Sequence, residues 1–154
     1  MKKLIAFSLI VFGSFQAFAT AQTDTTDPDS QEMINFVRNS DITYLVLALD
    51  RGVDPNSASV NGTSALMYAS KIGDARMARV LISFGADVNA VNDSGASALT
   101  LAAKYGNTEV AQMLVQNGAT VDAKTKNGVT PAQMAKKYNH KTTADFLEAA
   151  GANR

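Results

Sequence analysis

The sequence predicts an all-α solenoid of about four helix-turn-helix units with short β-hairpin or turn tips, and three observations predict it. Gly62, Gly95 and Gly128 recur every 33 residues, and Gly52, Gly85, Gly118 and Gly151 recur at the same interval. Ahead of the second set lie apolar residues at helical spacing: Met77, Val80 and Leu81; Val110, Met113 and Leu114; Phe146 and Leu147. Ser64, Ser97 and Thr130 stand one period apart just before apolar runs, where a hydroxyl can accept from the unpaired amides of a helix's first turn. A period of this length means one supersecondary unit repeated along the chain. Each unit exposes an apolar stripe that only its neighbours can cover.

A degenerate first unit covers 29–60, and fuller units follow at 61–93, 94–126 and 127–154. The first begins from Asp27-Pro28-Asp29 and has Ser40 where a glycine stands in the next two, as expected of a terminal cap. In the second and third units the first helix runs over about 66–71 and 99–104. Each stops at a residue that tolerates the left-handed conformation, Gly73 and Gly106, with Asn139 in the fourth. Second helices follow at once, started by Asp74 and Asn107, and His140 falls at the same place in the fourth unit. The fourth first helix has the fullest start signal. Pro131 occupies its first position, and Thr130 with Gln133 forms a Thr-x-x-Gln capping box. Ala69, Ala102 and Ala135 share one register position, where a small side chain lets helices approach closely. Tyr68, aligned with Leu101 and Met134, is assigned to the core, as are Met67, Met77, Met113 and Met134. Asp87 and Asp122 are assigned to turns.

The N-terminus has the layout of a secretory signal peptide. Lys2 and Lys3 precede an apolar run over 4–12, and small-residue cleavage patterns end at Ala19 and Ala21. Ser8, Gly13, Ser14 and Gln16 interrupt the run, which falls short of the roughly 20 apolar residues of a membrane span. Residues 1–21 are therefore expected to be removed, 22–28 to form a flexible polar leader, and the rest to work in a bacterial periplasm, free of the membrane. Cysteine is absent, so neither a disulfide nor a lipidated cysteine is available. Hydrophobic residues make up 46% of the chain and charged residues 18%, enough apolar surface for an unstapled core. Removing Lys2 and Lys3 from a chain with 14 basic and 14 acidic residues leaves a net charge of −2. No field of that size recruits nucleic acid or anionic membrane.

The unit tails are the clearest motif: Arg51-Gly52-Val53-Asp54-Pro55-Asn56, Phe84-Gly85-Ala86-Asp87-Val88-Asn89-Ala90 and Asn117-Gly118-Ala119-Thr120-Val121-Asp122-Ala123. Together with the 33-residue period they resemble the ankyrin repeat, over residues 29 to 154. The heads depart from that family's Thr-Pro-Leu-His: they read Ser64-Ala65-Leu66-Met67, Ser97-Ala98-Leu99-Thr100 and Thr130-Pro131-Ala132-Gln133. The family histidine, with the hydrogen bonds it makes between repeats, is missing from every copy. The resemblance implies a protein-binding module whose concave face is lined by first-helix ends and hairpin tips. Carried onto this chain, that face comprises Lys71, Ile72, Lys104, Tyr105, Lys137 and Tyr138 on helices, with Arg38 heading the series. Val60, Asn61, Val91, Asp93, Ser94, Lys124 and Lys126 supply the tips. Exported bacterial proteins resembling this one include immunity proteins against secreted effectors and companions of antioxidant enzymes such as catalase.

Arg38, Lys71, Lys104 and Lys137 are themselves spaced by 33, a ladder of cations near the ends of successive first helices. Two accounts fit it. Cations complement the helix macrodipole, and at about 10 Å spacing neighbours repel by only about 0.4 kcal/mol in water. The ladder also suits a partner with an acidic surface, and the tyrosines beside it supply contact area with a polar tip. The chain is expected to be a monomer when unbound. A small-ligand or haem carrier is the alternative, but His140 is the sole histidine to ligate iron. Catalytic material is scarce: no nucleophile elbow, no glycine-rich phosphate loop and no clustered metal ligands occur, so no cofactor is assigned. His140 is expected to cap a helix or lie on the surface.

Overall fold

Hydroxyl caps open the first helices where the sequence places them. The Met67 N–H donates to Ser64 Oγ at 3.3 Å and the Thr100 N–H to Ser97 Oγ at 3.2 Å. The Gln133 N–H donates to Thr130 Oγ1 at 3.3 Å, and Gln133 Oε1 accepts from the Thr130 N–H at 3.0 Å, closing the capping box. The computed structural model describes residues 28–152; the signal-peptide assignment and the leader up to residue 27 lie outside the described residues. Pro28, assigned to the leader, instead opens the first helix.

Eight helices occur among the described residues: α1 (Pro28–Arg38), α2 (Ile42–Asp50), α3 (Ala65–Ile72), α4 (Ala75–Ser83), α5 (Ala98–Tyr105), α6 (Thr108–Gln116), α7 (Pro131–Lys137) and α8 (Lys141–Ala152). Odd-numbered helices pack in the row α1–α3–α5–α7 and even-numbered ones in the row α2–α4–α6–α8, each pair bridging the two layers. Extended pairing among the described residues is confined to the isolated bridges Ala58–Ser64 and Val91–Ser97 at the hairpin bases. The chain is thus an all-α stack of helix pairs.

The core lies between the layers. Leu45, Leu66, Met77, Leu81, Leu99, Leu114 and Leu147 are buried, and Ala69, Ala102 and Ala135 are wholly so, as close helix approach requires. Met67 and Met113 are also buried. Tyr68 and Met134 depart from expectation: with Leu101 they are half-buried, packed against the core rather than inside it. Their register position lies one residue, about 100°, round the helix from Met67, at the margin of the apolar stripe.

The turn after each first helix shows what couples the units. Ser40, Gly73, Gly106 and Asn139 all adopt left-handed conformations, with φ of 55°, 82°, 73° and 62°. At Gly73 an added Cβ would press on the Asn107 side chain, and at Gly106 on the His140 ring. Asn107 starts α6 as expected, but its side chain makes no cap there. Its Nδ2 donates across the interface to the Ser70 and Lys71 carbonyls, at 2.8 and 3.0 Å. His140, expected to cap or sit on the surface, is half-buried with Nε2 3.0 Å from the Lys104 carbonyl. A side chain at this position reaches back to the unpaired carbonyls that end the preceding first helix. Asp74 cannot donate to a carbonyl, so it caps its own helix by accepting from the Arg76 and Met77 N–H groups. That leaves Ser40 uncrowded and explains why a side chain is tolerated there.

Tail turns add a second set of ties. Asn56 accepts from the Asp87 N–H and donates to the Gly85 carbonyl; Asn89 does the same with Thr120 and Gly118. Asp87 forms its expected turn bond, accepting from the Asn89 N–H at 2.8 Å. Asp122 makes none: it occupies the register of Asn56 and Asn89, and a carboxylate has no N–H to send to the next turn.

Candidate protein-binding face

First helices end in cations for a local reason, and the stack turns those ends into a row. Arg38, Lys71, Lys104 and Lys137 all lie in last turns, where positive charge complements the helix dipole. Because the next first helix lies alongside, a lysine reaches the ring that follows the next lysine in register. Lys71 Nζ lies 5.7 Å from the Tyr105 centroid. Lys104 Nζ lies 5.5 Å from Tyr105 and 5.4 Å from Tyr138. All three fall within cation–π range. Cations and rings therefore alternate as Lys71, Tyr105, Lys104, Tyr138.

This row is open to solvent and electrically uncompensated. Tyr105 and Tyr138 are 41% and 42% exposed, Lys71 is exposed, and Lys104 is half-buried between the two rings. The ion pairs among the described residues are Arg76–Asp74 at 3.6 Å and Lys136–Glu148, so neither Lys71 nor Lys104 has a carboxylate partner. Ammonium groups held over rings keep their N–H donors for an incoming acceptor. Arg38 and Lys137 do not join the alternation. The position that would place a ring over Arg38 is occupied by Ile72, which continues the row as an apolar step, 45% exposed.

The hairpin tips form a separate ledge. Val60 and Val91 are each 56% exposed, and Asp93, Lys124 and Lys126 are exposed beside them. The tips are tied in line by the Asp93 N–H donating to the Asn61 carbonyl and the Lys126 N–H donating to the Ser94 carbonyl, both at 3.0 Å. Asn61 and Ser94, expected as contact residues, commit their side chains to their own turns. Asn61 Oδ1 accepts from Ser59 and from the Thr63 N–H, and the Ser94 hydroxyl donates to Asn92 Oδ1. The tips precede the N-termini of first helices whose C-termini carry the ladder, and a helix of eight residues separates them by about 12 Å. Two ledges thus flank one row of helices.

Sequence inspection found the members of the ladder but not their pairing. The signal was present as a repeated offset: Tyr105 follows Lys71, and Tyr138 follows Lys104, by the same 34 residues. The carrier alternative gains nothing here. Met67 and Met77 are core side chains, His140 Nε2 is engaged, and no group of three potential metal ligands stands together among the described residues. Also among them, no helix is long and apolar enough to cross a membrane.

Comparison with known proteins agrees with the architecture. No curated protein matches the sequence. A family model described as ankyrin repeats (3 copies) matches residues 33–125. With its 33-residue period, its stacked helix pairs and a match over more than half its length, the chain belongs to the ankyrin-repeat family.

Proposed function

We propose that this chain is a non-enzymatic periplasmic module that captures a partner protein with an acidic surface on the row Lys71, Tyr105, Lys104 and Tyr138. Ankyrin repeats are in general protein-interaction modules. The observation that carries the finer reading is the alternation of lysines and tyrosine rings with no carboxylate beside them. Carboxylates of a partner can meet the ammonium groups while its apolar atoms cover the rings, a pairing that gives both on-rate and contact area. Ile72 and the valine tips extend the apolar part of that contact. Occlusion of an effector, or attachment to an antioxidant enzyme, follows from the same surface according to which protein it meets. The location rests on the N-terminal pattern of charge, apolar run and small-residue cleavage sites.

The test compares wild type with the double variant Lys104→Glu, Tyr105→Ala in capture from periplasmic extract. Capture should be lost while the thermal midpoint stays near wild type, since neither side chain belongs to the core. Undiminished capture by the folded variant would place the binding surface elsewhere.

A further inference from the structure

Two side chains that tie neighbouring units together also lie beside the exposed row. Asn107 and His140 each follow one of its tyrosines by two residues: Tyr105 closes α5, and Tyr138 caps the end of α7. Each also reaches back across the interface to the carbonyl of a ladder lysine. Asn107 Nδ2 donates to the Lys71 carbonyl at 3.0 Å, and His140 Nε2 lies 3.0 Å from the Lys104 carbonyl. The ammonium groups of the same two lysines stand over the same two tyrosines, Lys71 Nζ 5.7 Å from Tyr105 and Lys104 Nζ 5.4 Å from Tyr138. Among the described residues, each interface that sets a lysine over the next unit's ring therefore also ties the backbone of that lysine.

The first interface supplies the contrast. Asp74 stands in the register of Asn107 and His140, but it has no N–H to send to the Arg38 carbonyl and accepts instead from the Arg76 and Met77 N–H groups. Two residues before it stands Ile72, where the other units have tyrosine. A cleft lined in part by Ser40, Ile72, Gly73 and Asp74 lies at this interface. At the other two, the Asn107 side chain lies against Gly73 and the His140 ring against Gly106.

An exposed lysine gives up much rotamer freedom to stay over a ring, and an exposed cation–π contact returns little. The pairing holds where the backbone already sets ring and lysine stem at the right separation. Gly106 alone separates Tyr105 from Asn107, and Asn139 alone separates Tyr138 from His140, both in left-handed turns. Anchoring Asn107 or His140 to the lysine's own carbonyl therefore fixes the tyrosine against the lysine stem.

We propose that Asn107 and His140 are positioning residues of the exposed row, each holding the tyrosine two residues before it over the lysine of the preceding unit. The consequence for capture rests on the function proposed above: a row organised before the partner arrives spares the partner the cost of ordering it. The positioning itself is read without any partner.

The test exchanges each tie for the aspartate of the first interface, since a carboxylate can still cap its own helix but cannot donate to a carbonyl. Nuclear magnetic resonance of the protein as its host processes it, well below the thermal midpoint, reads the lysine side chains. Methylene protons held over a ring are displaced upfield by its current, and Lys71 and Lys104 should both show this in wild type. Asn107→Asp should remove most of the displacement at Lys71 and spare the pairing of Lys104 with Tyr138. His140→Asp should reduce the displacement at Lys104 to what Tyr138→Leu leaves, the share of Tyr105, with Lys71 unchanged. His140→Asn, which copies the interface before, should restore the wild-type displacement, as a general loosening of the packing would not. Partner capture should weaken at least about threefold in each aspartate variant, because the row is no longer preset. Displacements that persist in both aspartate variants overturn the proposal, as does a loss in His140→Asp that His140→Asn fails to reverse. Lost displacement with undiminished capture upholds the positioning and overturns the row as the capture surface. If His140→Asp does not fold, Asn107→Asp and its effect at Lys71 decide alone.

Discussion

Gly106 meets two demands at one residue: a φ of 73° and a surface flat enough for the His140 ring. Only the first is a backbone property. Gly106→Ala should therefore cost about 2–3 kcal/mol, the sum of left-handed strain and displacement of the ring. In a His140→Ala background the steric part disappears, and the same change should cost roughly 1 kcal/mol. Urea denaturation of the four proteins in this cycle measures the coupling. Additive costs would mean that the ring does not rest on Gly106. Ser40 shows the complementary case: it carries the same conformation without a glycine, because Asp74 turns its carboxylate into its own helix.

At the scale of the element, burial outweighs capping. α6 has a serviceable polar face in Glu109, Gln112 and Gln116, but its start carries no side-chain cap, since Asn107 is engaged with the unit before. Its place is held by Val110, Ala111, Met113 and Leu114, which pack it between α4 and α8. Leu114 is 0% exposed in the middle of that stripe. Leu114→Ala should lower unfolding free energy by roughly 2–5 kcal/mol, read from chemical denaturation. A change near zero would require the stripe to face solvent, and the repeat register would be wrong.

For the whole molecule, the ladder fixes how partner capture should respond to salt. The ladder is an array of exposed ammonium groups, so its attraction for an acidic partner is screened as the Debye length falls from about 10 Å at 0.1 M to about 3 Å at 1 M. Partner capture should weaken by at least about tenfold over that range. Capture that ignores salt would point to the apolar tips at Val60 and Val91 instead.

The repeat period, the hydroxyl caps, the left-handed turns and most of the core were legible in the residues alone. Each depends on a few neighbours along the chain: Thr130, Pro131 and Gln133 describe a helix start wherever they occur together. Ankyrin membership was legible too, because the tail motif and its interval survive without the histidine of the heads. Contacts between units were not. That Lys71 meets Tyr105, that Asn107 leaves its own helix for Ser70 and Lys71, and that His140 lies over Gly106 depend on how far each helix pair is shifted and turned against the last. Packing of the whole stack sets that displacement, and no local rule contains it. Likewise Tyr44 and Leu47 look like ordinary core residues in the repeat pattern, and only the assembled fold shows that, among the described residues, no unit stands in front of the first and both side chains are exposed.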